Sequence, residues 1–111
     1  MEIHSLIKAT FRGQIDHGIT LVDFYEPSSK SCHEQLLIDE KLAQEVRYQA
    51  TVAKVDINQE KELAAEYGVT SVPTFLLFKD GYQVEIWVGQ QSKEFLKQHI
   101  IRYATMGDSC V

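Results

Sequence analysis

An α/β architecture, with a central mixed sheet of four to five strands and helices on both faces, follows from three features of this chain. Runs of β-branched and aromatic residues alternate with stretches whose apolar residues recur at helical spacing. An Asp-Gly pair, Asp80-Gly81, stands between two apolar runs and is the strongest short signal for an antiparallel hairpin. The length, 111 residues, suits one domain with one real hydrophobic core. Strands that alternate with helices pair in parallel, so a terminal hairpin makes the sheet mixed.

Taken in order, Ile3 to Leu6 allows a short first strand, and a helix precedes the first long one. Thr20-Leu21-Val22-Asp23-Phe24-Tyr25 reads as a buried strand with one charge embedded, stopped by Pro27 and the serines behind it. From Ser31 to Arg47 the pattern is helical. At 100° per residue Cys32, Leu36, Ile38, Leu42, Ala43 and Val46 share an arc of about 160°, with Asp39 unexplained inside it. Ser31-Cys32-His33-Glu34 has the S-x-x-E form of a capping box. Thr51 to Ile57 forms the next strand, with Lys54 alone inside it. Asn58 is placed to cap a short helix through Leu63, Ala64, Ala65 and Tyr67, which Gly68 ends. After a turn at Val72-Pro73 come strand Thr74 to Lys79, the hairpin, and strand Val84 to Val88. Ser92 caps a last helix that buries Phe95, Leu96, Ile100 and Tyr103. The domain therefore spans residues 1–104, and 105–111 form a polar tail.

Composition excludes several classes of function. With 11 Lys+Arg against 16 Asp+Glu, the net charge of −5 repels a polyanion, and no basic run offsets it, so nucleic acid is not an expected partner. The longest aliphatic-aromatic run, Phe75 to Phe78, is far too short to cross a bilayer, so no membrane association is expected. The first residues lack the basic flank and apolar stretch of an export signal, which makes the cytoplasm the expected location. Two cysteines, Cys32 and Cys110, cannot make a disulfide scaffold or a structural zinc site, and the four histidines show no ligand spacing. No metal and no cofactor are expected. Sulfur matters here through reactivity or not at all.

Four features could carry chemistry, and each has a plainer reading. Cys32 follows Ser28-Ser29-Lys30-Ser31 at a helix N-terminus, where the macrodipole acidifies thiols; serine capping above an inert buried cysteine fits the same residues. Asp23 in an apolar strand could exchange a proton near neutral pH if desolvated, or it could turn to solvent at the strand end. Lys54 could pair with a buried opposite charge, or it could snorkel. Pro73 ahead of a strand permits a cis bond, although X-Pro bonds are usually trans.

Together these segments resemble thioredoxin, in one register from about Thr20 to Tyr103. Leu21-Val22-Asp23-Phe24-Tyr25 resembles the strand feeding the thioredoxin active site, and Val52-Ala53-Lys54-Val55-Asp56 resembles its neighbour. Tyr67-Gly68-Val69-Thr70-Ser71-Val72-Pro73-Thr74-Phe75 is similar to the segment ending in the family's cis-proline. Phe78-Lys79-Asp80-Gly81 and Val88-Gly89 match its hairpin and the turn before the last helix. The resemblance implies the thioredoxin fold and thiol–disulfide exchange on protein disulfides, with a thioredoxin-reductase-like reductant and a monomeric protein. It makes Asp23 the buried carboxyl below the active site and Lys54 its neighbour. It places Val72, Pro73 and Gly89 along the groove that holds a substrate chain by strand addition.

The departure lies at the active site. Where thioredoxins carry Trp-Cys-Gly-Pro-Cys, this chain reads Ser28-Ser29-Lys30-Ser31-Cys32, and Leu37 replaces the proline that kinks the next helix. By resemblance Ser29 stands at the nucleophilic cysteine and Cys32 at the resolving one. A serine hydroxyl cannot form a mixed disulfide. Two readings differ in kind: a reductase whose nucleophile has become serine, and a redox-silent module that binds extended peptides or a partner protein. The pattern is the reverse of monothiol glutaredoxins, so no glutathione-ligated cluster is implied. Cys110 could supply the missing thiol only by reaching in from the tail.

Overall fold

The computed structural model describes residues 3–106. In chain order the elements are β1 (His4–Ser5), α1 (Lys8–Ile15), β2 (Ile19–Tyr25), α2 (Lys30–Glu45), β3 (Thr51–Asp56), α3 (Lys61–Glu66), β4 (Thr74–Lys79), β5 (Tyr82–Val88) and α4 (Lys93–Met106). They build a five-stranded sheet in the order β1-β3-β2-β4-β5. β3 runs parallel to both β1 and β2, whereas β4 is antiparallel to β2 and to β5, so the sheet is mixed. The last helix runs two residues beyond the expected boundary at Ala104. Residues 107–111, with Cys110, lie outside the described residues.

Strand alternation divides the core between the two faces. From β2, Leu21 packs with Val52, Phe75 and Leu77 beneath Leu42 and Ala43 of α2, Val46 at its C-terminal cap, and Leu96 and Ile100 of α4. Val22 and Phe24 point the other way, against Phe11 and Ile15 of α1 and Leu63 and Ala64 of α3. On that second face Phe11 meets Phe78 edge-on at 5.7 Å, and half-buried Tyr67 leans against Phe11 at 5.2 Å with its ring tilted. Each such fully buried aromatic or leucine stabilises the fold by about 1.5–3 kcal/mol. Asp23 lies on the same face as Leu21, directly under α2.

The turns follow their residues. Asp80 and Gly81 have φ of 49° and 90°, the left-handed pair that a two-residue hairpin with matching twist requires. Asp80 also accepts the Gly18 N–H through Oδ1 at 2.8 Å, which ties the hairpin to the α1–β2 loop. Gly68 ends α3 at φ 70°, with its N–H donated to Ala65 O and that of Val69 to Ala64 O, a Schellman closure.

Two expected caps are corrected. α2 enters at Lys30, and its cap is Ser29, whose Oγ accepts the Cys32 N–H at 3.3 Å. Ser29 has the extended backbone that a cap needs, whereas Ser31 already lies inside the first turn. Glu34 therefore has no cap to reach back to and instead accepts from Gln90 at 3.3 Å. α3 begins at Lys61 behind Glu60, not at Asn58. The Asp56 carboxylate takes the N–H groups of Asn58 and Gln59 at 2.8 and 3.3 Å, and that local turn delays the helix.

Candidate functional site

The site forms where the C-terminal end of β2 feeds α2. Pro27 and the Glu26–Ser29 turn reverse the chain, with the Ser29 N–H donated to Glu26 O at 3.0 Å. Ser29 is half-buried, and its Oγ lies 3.1 Å from Ser31 Oγ in addition to capping the helix. Cys32, one turn into α2, is wholly buried and is a free thiol. It is close enough to Asp23 for its charge to act on that carboxyl.

Asp23 is also 0% exposed, and neither carboxyl oxygen has a hydrogen-bond partner among the described residues. Burial pushes its carboxyl well above the ordinary range. The carboxyl of Asp39 and the charge of Cys32 push the same way, and Lys54 opposes them. Lys54 occupies the register position beside Asp23 on β3, as the sequence suggested. The two do not form an ion pair. The Lys54 side chain is half-exposed and carries its Nζ to 5.8 Å from the Tyr25 ring centroid, in the manner of a snorkelling lysine. Its influence on Asp23 is therefore electrostatic.

The remaining expected site residues also converge. The Val72–Pro73 peptide bond is cis, and the Pro73 carbonyl accepts the Gly89 N–H at 2.8 Å. Gly89 has φ 97° and no atom within 4 Å of where a Cβ would stand, so its glycine serves the backbone turn. Gln90 then donates from Nε2 to Ser31 O at 3.0 Å, linking this turn to the first turn of α2.

Sequence reasoning missed the polar stripe of α2. The buried arc is Cys32, Gln35, Asp39, Leu42, Ala43 and Val46, about 100° wide, and Leu36 and Ile38 flank it half-buried. Gln35 donates from Nε2 to Asp39 Oδ1 at 3.1 Å and to Gln91 O at 2.9 Å, and its Oε1 accepts the Gln91 N–H at 2.9 Å. Asp39 is 0% exposed, its Oδ2 has no partner, and burial raises its pKa although the contacts with Asp23 and Gln35 act against that rise. The signal was present in the sequence as the one acid inside an apolar helical arc. Among the described residues no cluster of three or more His, Cys, Asp or Glu could hold a metal ion.

This arrangement can shelter a thiol and offer its proton a buried carboxyl. A family model described as Thioredoxin matches residues 2–102. The chain belongs to the thioredoxin family. Its thioredoxin relatives include that of Bacillus subtilis, 34% identical over 102 residues, which cover 89% of this chain and 98% of the relative. The Staphylococcus aureus thioredoxin is 35% identical over 98 residues, covering 88% and 94%. Among solved structures, a point-mutant thioredoxin from Halobacterium salinarum NRC-1 superposes with a TM-score of 0.86 at 35% identity, covering 93% of this chain and 91% of that one. A chain from a structure of the thiol resolving mechanism in yeast mitochondrial 1-Cys peroxiredoxin via glutathione/thioredoxin systems gives 0.82 at 26% identity, covering 91% and 95%. The mixed sheet with four helices is thus the thioredoxin fold, and the family is a redox family. Among the described residues no helix is long and apolar enough to cross a membrane.

Proposed function

We propose that this thioredoxin-family chain has the architecture of a protein-disulfide reductase acting in cell redox homeostasis, with Ser29 at the nucleophile's position, so that turnover is lost or strongly impaired in this form. The observation that carries the proposal is the pairing of a buried free thiol, Cys32, with a buried carboxyl, Asp23, one helical turn behind Ser29. In the family cycle a first thiolate attacks a substrate disulfide and releases one substrate thiolate. A second thiol then gives up its proton, attacks the mixed disulfide and releases the other. The protein is left with an internal disulfide, which a two-electron reductant reopens.

Cys32 suits the second step, because it is sheltered from solvent and its proton has an acceptor in Asp23. Lys54 tempers that carboxyl. Val72, Pro73 and Gly89 hold the substrate backbone. Ser29 cannot perform the first step, since its hydroxyl is a poor nucleophile and yields no mixed disulfide. The substrates are protein disulfides, the reductant is thioredoxin-reductase-like, and the chain works as a monomer in the cytoplasm.

Insulin-disulfide reduction by this chain and by Ser29→Cys tests the reading. The expected result is no turnover above background for Ser29 and substantial turnover for the variant. Two inert proteins would favour a redox-silent module that binds extended peptides or a partner through the Val72-Pro73 edge. Turnover by the Ser29 chain itself would overturn the assigned roles, and replacing Cys110 would then show whether the tail thiol supplies it.

A further inference from the structure

The α2–β2 interface contains two carboxyls where the thiol–disulfide reading uses one. Asp23 reaches it from the sheet and Asp39 from the helix, within side-chain hydrogen-bonding reach of each other. Both are 0% exposed. Three of their four oxygens, Oδ1 and Oδ2 of Asp23 and Oδ2 of Asp39, have no donor among the described residues. Gln35 cannot supply one. Both its N–H groups are committed, one to Asp39 Oδ1 and one to Gln91 O, and its carbonyl is held by the Gln91 N–H.

Two ionised carboxylates are acceptors only, so they cannot satisfy each other in a site closed to water. One proton changes this. A protonated oxygen of one carboxyl becomes a donor to the other, and the pair carries a single negative charge spread over both groups. We infer that Asp39 is a positioning residue of the thiol site, acting through Asp23: the two form a buried carboxyl pair that shares one proton, locked in place by the Gln35–Gln91 bridge. The inference rests on the redox role proposed for Cys32 and Asp23. When Cys32 gives up its proton to attack, the pair takes it and becomes neutral, and it returns the proton when the thiol is regenerated. No electrons pass through the pair.

The other groups facing it are few. Cys32 adds like charge from α2 when ionised, Glu40 adds it from the outer side of α2, and Lys54 opposes both from β3. The Tyr25 hydroxyl, farther along β2, also feels the charge of Asp23. β4 contributes apolar Phe75 opposite Asp23, and the turn before α4 contributes Gln91.

Carboxyl carbon NMR titration of the full chain, Asp39→Asn and Asp23→Asn tests the pair directly. In the unaltered chain the Asp23 and Asp39 signals move together through two shared steps. In Asp39→Asn the Asp23 midpoint falls by about one unit or more, as expected when a like charge is removed at contact. In Asp23→Asn the Asp39 signal no longer shares steps with a partner, and its midpoint does not fall, because Asp23 holds the Asp39 pKa down rather than up. Asp39→Leu, which offers no amide donor, must also abolish the shared steps. Independent single-step titrations, or an Asp23 midpoint unmoved by either Asp39 variant, would overturn the inference. In a Ser29→Cys background, Asp39→Asn should shift the acid limb of the kcat/KM profile for insulin reduction by the same amount as the NMR midpoint. Coupled carboxyls with an inactive Ser29→Cys protein would refute the redox reading alone. An active protein with uncoupled carboxyls would refute the pair alone.

Discussion

Replacing Asp39 by leucine should stabilise this protein, by an amount that depends on pH. Asp39 sits in the layer of Leu42 and Val46, wholly buried, with one oxygen bonded to Gln35 and the other without a donor whenever Asp23 and Asp39 are both ionised. An unsatisfied buried polar atom costs about 1–3 kcal/mol, and the Gln35 bond that would be lost contributes about 1 kcal/mol. Gln35 keeps both of its bonds to Gln91, but the N–H it gave to Asp39 is left buried without an acceptor, which removes about 1 kcal/mol more. Burying a leucine side chain adds about 2 kcal/mol, and repacking around its extra volume removes about 1–2 kcal/mol. The net gain near pH 7 is about 0.5–1 kcal/mol.

The pH dependence has a definite sign. Asp23 and Asp39 both have native pKa values above the ordinary 3.8, so the native state binds their protons more tightly than the unfolded chain does. Their contribution to stability is fully present below that value and is lost as pH rises through the native pKa values. The advantage of Asp39→Leu should therefore be small near pH 4 and grow toward pH 8. Urea unfolding followed by the fluorescence of the single tryptophan, half-buried Trp87, measures it at each pH. A variant less stable than the parent at every pH, or a difference that does not change with pH, would refute the reasoning.

Other substitutions test the frame that holds the site. Ser29→Ala removes the oxygen that caps α2 and should lower stability by about 1 kcal/mol in the same urea assay, because the Cys32 N–H loses its acceptor. Gly68→Ala forces a Cβ onto a residue at φ 70° and should cost about 1–2 kcal/mol, although the space around it is open; the thermal midpoint reports it. Leu42→Ala empties a fully buried position between α2 and the sheet and should cost about 2–5 kcal/mol by denaturant unfolding, with α3 and its face unaffected.

The legible parts of the sequence were those governed by local rules. Asp80-Gly81 demanded a hairpin because few other residues accept two positive φ values in succession. Gly68 marked a helix end for the same reason, and the near-continuous β-branched and aromatic run of β2 marked its burial. The caps were less legible because capping is a competition between neighbours. Ser28, Ser29 and Ser31 all have the right side chain, and the chain reversal after Pro27 selects Ser29. Asn58 lost to a turn set by Asp56, two residues earlier.

By itself, the sequence determined the order of the elements, the mixed sheet, the family, and the placing of Cys32 just inside a helix behind a row of serines. These depend on periodicity, on turn chemistry and on short motifs in register, all of which are contiguous along the chain. What Asp39 does, and what Lys54 does not do, was decided only by the tertiary structure. Asp39 looks like a flaw in an apolar arc until α2 is laid across the sheet. It then meets Asp23, sixteen positions away, in a space that excludes water. Lys54 looks like the partner of Asp23 by register, but its long stem carries the charge away toward solvent. Burial and side-chain reach set the electrostatics of the site, and neither is written in the spacing of residues along the chain.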